Sequence, residues 1–151
     1  MSHRTTDRVG YAETPVQKAA LILGVVFLLV GIAGFIPGIT SGVDQLEFAS
    51  HTSEAMLLGI FQVSILHNLV HALYGVAGLA MARTASAARS YLIVGGIVYA
   101  VLFIYGLFVP HDSAANFVPL NSADNWLHLV LAVAMIALGF LLGRDTVRRR
   151  A

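Results

Sequence analysis

Four apolar stretches alternate with polar segments along this chain. Ala19 to Ile36 is unbroken apolar sequence and closes on Phe35-Ile36-Pro37-Gly38. Met56 to Ala82, Ser90 to Val109 and Asp124 to Gly143 follow. A helix of about 17–25 residues crosses a bilayer core of ~30 Å, so each stretch predicts one span. The segment 39–55 carries Asp44, Glu47, His51 and Glu54. Within it, Thr52-Ser53-Glu54 reads as a helix start with an acid in the first turn. The second helix is therefore expected over 56–82, longer than a membrane needs, with its first turns among the headgroups. Residues 83–89 form a short basic turn, and 111–123 form a polar loop with Asn116, Pro119 and Asn121. A polar tail, 1–18, and a basic tail, 144–151, flank the four spans. The expected fold is an all-α, polytopic integral membrane four-helix bundle.

Composition agrees. Only 11% of the residues are charged and 58% are hydrophobic, whereas a soluble domain carries roughly 25% charge. A cleaved signal peptide is the other reading of 19–36. No small-x-small cleavage site follows it, and the later stretches need a membrane in any case. All nine Lys and Arg lie in the two tails or in the turn between the second and third spans. The loops after the first and third spans hold acids alone among the charged side chains. By the positive-inside rule both termini are cytoplasmic. The absence of cysteine excludes disulfides, thiolate metal sites and cysteine nucleophiles.

The two halves repeat. Phe35-Ile36-Pro37 matches Phe108-Val109-Pro110, and Asn68 and His71 match Asn125 and His128. Val76-Ala77 and Ala80 match Val133-Ala134 and Ala137. The chain therefore reads as two helical hairpins running in the same direction, with an insertion in the outer loop of the first.

The candidate chemistry lies in His67-Asn68-Leu69-Val70-His71 and its echo Asp124-Asn125-Trp126-Leu127-His128. Polar side chains inside apolar runs cost free energy unless they find partners. In each motif the first and fifth residues share a helix face. On the second helix Ser64, His67, Asn68, His71, Gly75, Gly78 and Ala82 form one stripe. On the fourth the stripe is Asp124, Asn125, His128, Ala132, Met135 and Gly139. Small residues below polar ones suit a packed helix interface, and a two-fold relation would make His71 and His128 face each other.

Four readings stay open. Asn68, Asn125 and the imidazoles can satisfy one another and join the second and fourth helices. His67, His71 and His128 with Asp124 have the donor types for zinc, iron or copper, with the Asn residues orienting the imidazoles. Haem can be held between His71 and His128. Intramembrane histidines also relay protons, although no span here is broken or carries a charge at its middle. A zinc-peptidase pattern would need Glu where Asn68 stands. Tyr11, Phe117 and Trp126 suit the membrane interface, and Tyr91, Tyr99 and Tyr105 suit packing or the aromatic belt. The Arg148-Arg149-Arg150 run suits topology and anionic lipid better than nucleic acid.

The stretch from His67 to Gly78, with Asp124-Asn125-Trp126-Leu127-His128, resembles a bacterial membrane family described as domain of unknown function 4383. That resemblance implies a multi-pass protein of the bacterial plasma membrane and no activity, cofactor or partner. The expected role is that of a small non-enzymatic protein in the lipid bilayer. It would be structural or accessory to other membrane proteins, or a homo-oligomer. A metal- or haem-binding redox protein is the alternative.

Overall fold

The computed structural model describes residues 10–143. The outer part of the expected N-terminal tail, 1–9, and the basic tail, 144–151, lie outside the described residues. Four helices, α1 (Pro15–Ala33), α2 (Ile65–Met81), α3 (Ala85–Phe108) and α4 (Ser122–Leu142), account for most of the chain. Three two-residue strands, β1 (Thr40–Ser41), β2 (Met56–Leu57) and β3 (Phe61–Gln62), make a small antiparallel sheet in the order β1-β2-β3. The helices α1, α3 and α4 are long and apolar enough to cross a membrane; α2 is a shorter apolar helix. The protein is thus all-helical apart from that sheet.

The helix α1 begins at Pro15, one turn before the expected start at Ala19. Thr14 caps it, Pro15 takes the first turn, where its missing N–H costs nothing, and Gln17 closes a capping box with Thr14. The fully buried Gln17 does more than cap its own helix. Its Nε2 donates to the carbonyls of Gly10 and Ala82, both at 2.9 Å. The Ala12 N–H also donates to Ala82 O (3.2 Å), and the Tyr11 hydroxyl donates to Leu79 O (3.0 Å). The segment before α1 therefore supplies donors to carbonyls that the end of α2 leaves without helical partners.

The start of α2 differs from the expectation. The helix begins at Ile65, not at Met56, and Thr52-Ser53-Glu54 starts no helix. Residues 56–62 fold instead into the β2–β3 hairpin, with Met56 opposite Gln62 and β1 on its other edge. A continuous apolar run does not by itself separate a buried strand from a helix. Here Gly59, at φ +68°, turns the chain back. Ser53 Oγ donates to Val63 O at 2.6 Å, which holds the preceding loop against the hairpin. Ser64 then caps α2 by accepting from the His67 N–H. The N–H groups of Ile65 and Leu66 donate to the carbonyls of Glu47 and Phe48 (3.0 and 2.9 Å). The orphan donors of the first turn of α2 are thus satisfied by the loop folded over it.

Each long-helix hairpin is one packing unit: α1 lies along α2, and α3 along α4, with α1 against α3 as the main joint between them. Glycine makes the close approach possible. A Cβ on Gly24 would stand 2.8 Å from Leu79 N and 3.0 Å from Gly75 O, and one on Gly75 would stand 2.7 Å from Gly24 O. In the second hairpin a Cβ on Gly96 would stand 3.0 Å from Ile136 N. Lipid tails are as apolar as leucine, so helices associate in a membrane through such close packing. Leu69, Val70, Leu73 and Val76 on α2 point outward, as do Val94, Val101 and Ile104 on α3.

Gly75→Val is expected to destabilise the fold by about 3 kcal/mol, the upper range for overpacking a tight contact, because the colliding atoms are backbone. Thermal unfolding in detergent, followed by Trp126 fluorescence, measures it. Leu73→Ala on the outward face should leave the midpoint nearly unchanged.

Candidate functional site

The two predicted polar stripes face inward. On α4, Asp124, Asn125, His128, Ala132, Met135 and Gly139 are the buried residues. On α2, His67, Asn68, Gly75 and Gly78 are buried, with Ser64 and Ala82 at its two ends, while His71 is half-buried. The residues nevertheless do three different jobs.

Asp124 belongs to the start of α4. Asn121 caps the helix by accepting from the Asp124 N–H (2.9 Å), and Asp124 Oδ2 accepts from the Asn121 N–H (3.1 Å). The same oxygen accepts from the N–H of Gln62 in β3 (3.0 Å), while Asn121 Nδ2 donates to Ile60 O (2.7 Å). Gln62 is fixed in turn by its Nε2, which donates to the carbonyls of His51 and Ser53. Asp124 is therefore a carboxylate that locks the small sheet to α4. The Asn-x-x-Asp spacing from Asn121 to Asp124 was a visible sign of this capping box.

Asn68 and Asn125 sit within their own hairpins rather than between them. A Cβ on Gly34 would fall on the Asn68 carboxamide, and a Cβ on Gly106 would fall on that of Asn125. Each asparagine thus packs on a glycine, Gly34 at the C-terminal end of α1 and Gly106 in α3. Both polar atoms of Asn68 and Oδ1 of Asn125 are buried without a hydrogen-bond partner, as is His128 Nδ1. The expected mutual satisfaction of Asn and His is not what the fold builds; no Asn–imidazole bond occurs among the described residues. Each carboxamide instead fills the notch beside its glycine.

The histidines join an aromatic ladder. His67 and His71 stack in parallel, with centroids 4.3 Å apart and planes 2° apart. His71 Nδ1 lies 3.0 Å from His67 O. A carbonyl only accepts, so Nδ1 carries the proton and Nε2 is the lone-pair nitrogen of neutral His71. From His71 the ring contacts run to Phe27 on α1 (5.8 Å), to Tyr99 on α3 (5.5 Å, stacked) and to His128 on α4 (5.2 Å). His71 and His128, expected to face each other, are linked by the rings of Phe27 and Tyr99. Among the described residues no three His, Asp or Glu side chains are arranged to hold a metal ion. Asp124 is engaged at the sheet, and His71 Nδ1 is engaged at its own helix.

Tyr74 and Tyr91 extend the ladder toward the other end of the bundle, their rings 4.9 Å apart. The Tyr74 hydroxyl occupies the notch of Gly95, and the Tyr91 hydroxyl that of Gly78, where a Cβ would approach to 2.8 Å. Sequence reasoning missed Phe27 and Tyr74, because an aromatic inside an apolar run carries no polar flag. It also missed the pairing of each Asn with a glycine. One signal existed: Phe27 and Gly34 stand seven residues apart, as do Tyr99 and Gly106.

Gly106→Ala should cost about 1–3 kcal/mol, the usual range for overpacking, and most of that cost should vanish when Asn125→Ala is added. A double-mutant cycle on thermal midpoints checks this, with coupling of at least about 1 kcal/mol expected for residues in contact. Gly34→Ala with Asn68→Ala should behave alike. Asp124→Ala should cost about 1–2 kcal/mol through the lost cap, measured the same way.

A family model described as Domain of unknown function (DUF4383) matches residues 17–141. No curated protein and no solved structure matches the chain.

Proposed function

The chain belongs to the family described as domain of unknown function (DUF4383), and from that premise we propose a small, non-enzymatic, four-span protein of the bacterial plasma membrane. In this reading it is structural or accessory to a membrane complex, with both termini cytoplasmic and the chain built from two repeated hairpins. The observation that carries the reading is the use to which the interior is put. The buried polar and aromatic side chains cap helices, fill glycine notches and stack on one another. His71–Phe27–Tyr99–His128 is nearly symmetric, one His and one other ring from each hairpin.

The repeat is supported by matched placements. Asn68 on Gly34 corresponds to Asn125 on Gly106, Gly24 against α2 to Gly96 against α4, and the Ser64 cap to the Asn121 cap. The insertion in the first outer loop then corresponds to the small sheet. The orientation rests on the distribution of Lys and Arg. The 17 residues of α2 span about 25 Å at ~1.5 Å per residue. That is short of a ~30 Å core, and the β2–β3 hairpin extends the segment at its outer end.

Metal analysis and an optical spectrum of detergent-purified protein test the reading, beside the His71→Ala/His128→Ala double variant. Wild type is expected to be colourless and free of stoichiometric metal, and the variant to unfold earlier. A Soret band or bound metal that disappears in the variant would replace this reading with a redox protein. A fluorescent-protein fusion after Ala151 should fluoresce in cells, whereas a periplasm-dependent phosphatase fused there should stay inactive.

A further inference from the structure

The β2–β3 hairpin ends in a tip whose chemistry is wrong for water. Leu58 sits at φ +54°, a left-handed conformation that costs free energy for a side chain of its size and that asparagine or glycine adopts more readily. Its side chain is 64% exposed, so packing within the chain does not offset that cost, and Ile60 beside it is 51% exposed. Ala55 to Val63 contains no charged residue, and its one strongly polar side chain, Gln62, is turned inward to His51 O and Ser53 O.

The N–H groups of the tip are satisfied within the protein. The N–H groups of Leu58, Gly59 and Ile60 donate to the carbonyls of Ile39, Met56 and Leu57 at 2.9, 3.3 and 3.1 Å. The Ile60 carbonyl accepts from Asn121 Nδ2. A turn in water needs none of these bonds, whereas backbone entering a low-dielectric layer gains from each of them. The depth also fits. The bonds from Gln62 and Ile60 to Asp124 and Asn121 hold the hairpin level with the first turn of α4. Trp126, 64% exposed, lies in the next residues of that turn and has the side chain typical of a membrane boundary. Phe48, equally exposed, stands at the same level, because its carbonyl accepts from the first turn of α2.

We propose that the β2–β3 hairpin is a membrane anchor. Leu58 and Ile60 insert at the boundary between headgroups and acyl chains, in the leaflet that holds the N-terminal ends of α2 and α4. The inference rests on the membrane reading given above and adds a lipid-binding element that is not a span. It accounts for an apolar side chain in a conformation that favours asparagine, and for the short α2 below it.

The lack of cysteine makes site labelling direct. Leu58→Cys and Ile60→Cys, each carrying a bimane label, are reconstituted in phosphatidylcholine–phosphatidylglycerol vesicles. Asp44→Cys is the aqueous reference and Val101→Cys, on the outward face of α3, the lipid reference. Labels at 58 and 60 should be quenched several-fold more by a lipid with a nitroxide near the head of its acyl chain than by iodide, the reverse of position 44. Quenching by iodide as strong as at position 44 would place the tip in water and overturn the inference. Protection from both quenchers would mean that protein covers it, whether a second copy or another chain, and would equally overturn it. Failure of lipid quenching at position 101 would instead overturn the membrane reading itself.

Discussion

Two backbones brought closer than a Cβ would permit hold the first hairpin together, and the rest of the structure depends on that approach. In water, burial of apolar surface would drive α1 onto α2. In lipid that drive is absent, and close packing takes its place. Gly24 against Gly75 and Gly78 sets the distance. Once the two helices lie that near, Gly34 comes under Asn68 and Phe27 comes within reach of His71 and Tyr74. The second hairpin follows the same plan through Gly96 and Gly106. Aromatic stacking between Phe27 and Tyr99 then joins the two units at the α1–α3 contact.

The same constraint explains how the polar residues are distributed. A helix ending in or near a membrane must satisfy its terminal groups without relying on water. The start of α2 uses Ser64 and the carbonyls of Glu47 and Phe48; the start of α4 uses Asn121 and Asp124; the end of α2 uses Gln17 and Ala12. The second polar loop closes similarly, since the buried Asn116 bonds Leu120 through both its amide nitrogen and its oxygen and donates to His111 O. Side chains that a sequence scan groups as one cluster are thereby divided between ends and interfaces.

Much of this was legible in the sequence. A helix lies in each apolar run, although α2 starts only at Ile65 and α3 already at Ala85, inside the expected basic turn, and the α4 stripe from Asp124 to Gly139 is buried residue for residue. Membership of the family was legible in the His67–Gly78 stretch. Three things were not. The run from Met56 to Val63 carries only Gly59 as a hint of a turn, and a single glycine does not separate a hairpin from a helix until β2 pairs with β1 and β3. The partners of Asp124 come from Asn121 and Gln62, and the second of these is remote in sequence. Phe27 and Tyr99 link His71 to His128 because α1 and α3 are in contact, and helix periodicity says nothing about which helices are neighbours.

The tie between Asp124 and Gln62 bears on biogenesis. The two residues are 62 positions apart, and the other half of the tie, Ile60 to Asn121, is nearly as long-range. When the first hairpin leaves the ribosome, its outer sheet has no partner for these groups. They stay unpaired until α4 has been made and folded against the sheet. The sheet is therefore sealed only once α4 is in place, and a chain truncated before α4 would leave the Gln62 N–H and the Ile60 carbonyl without these partners.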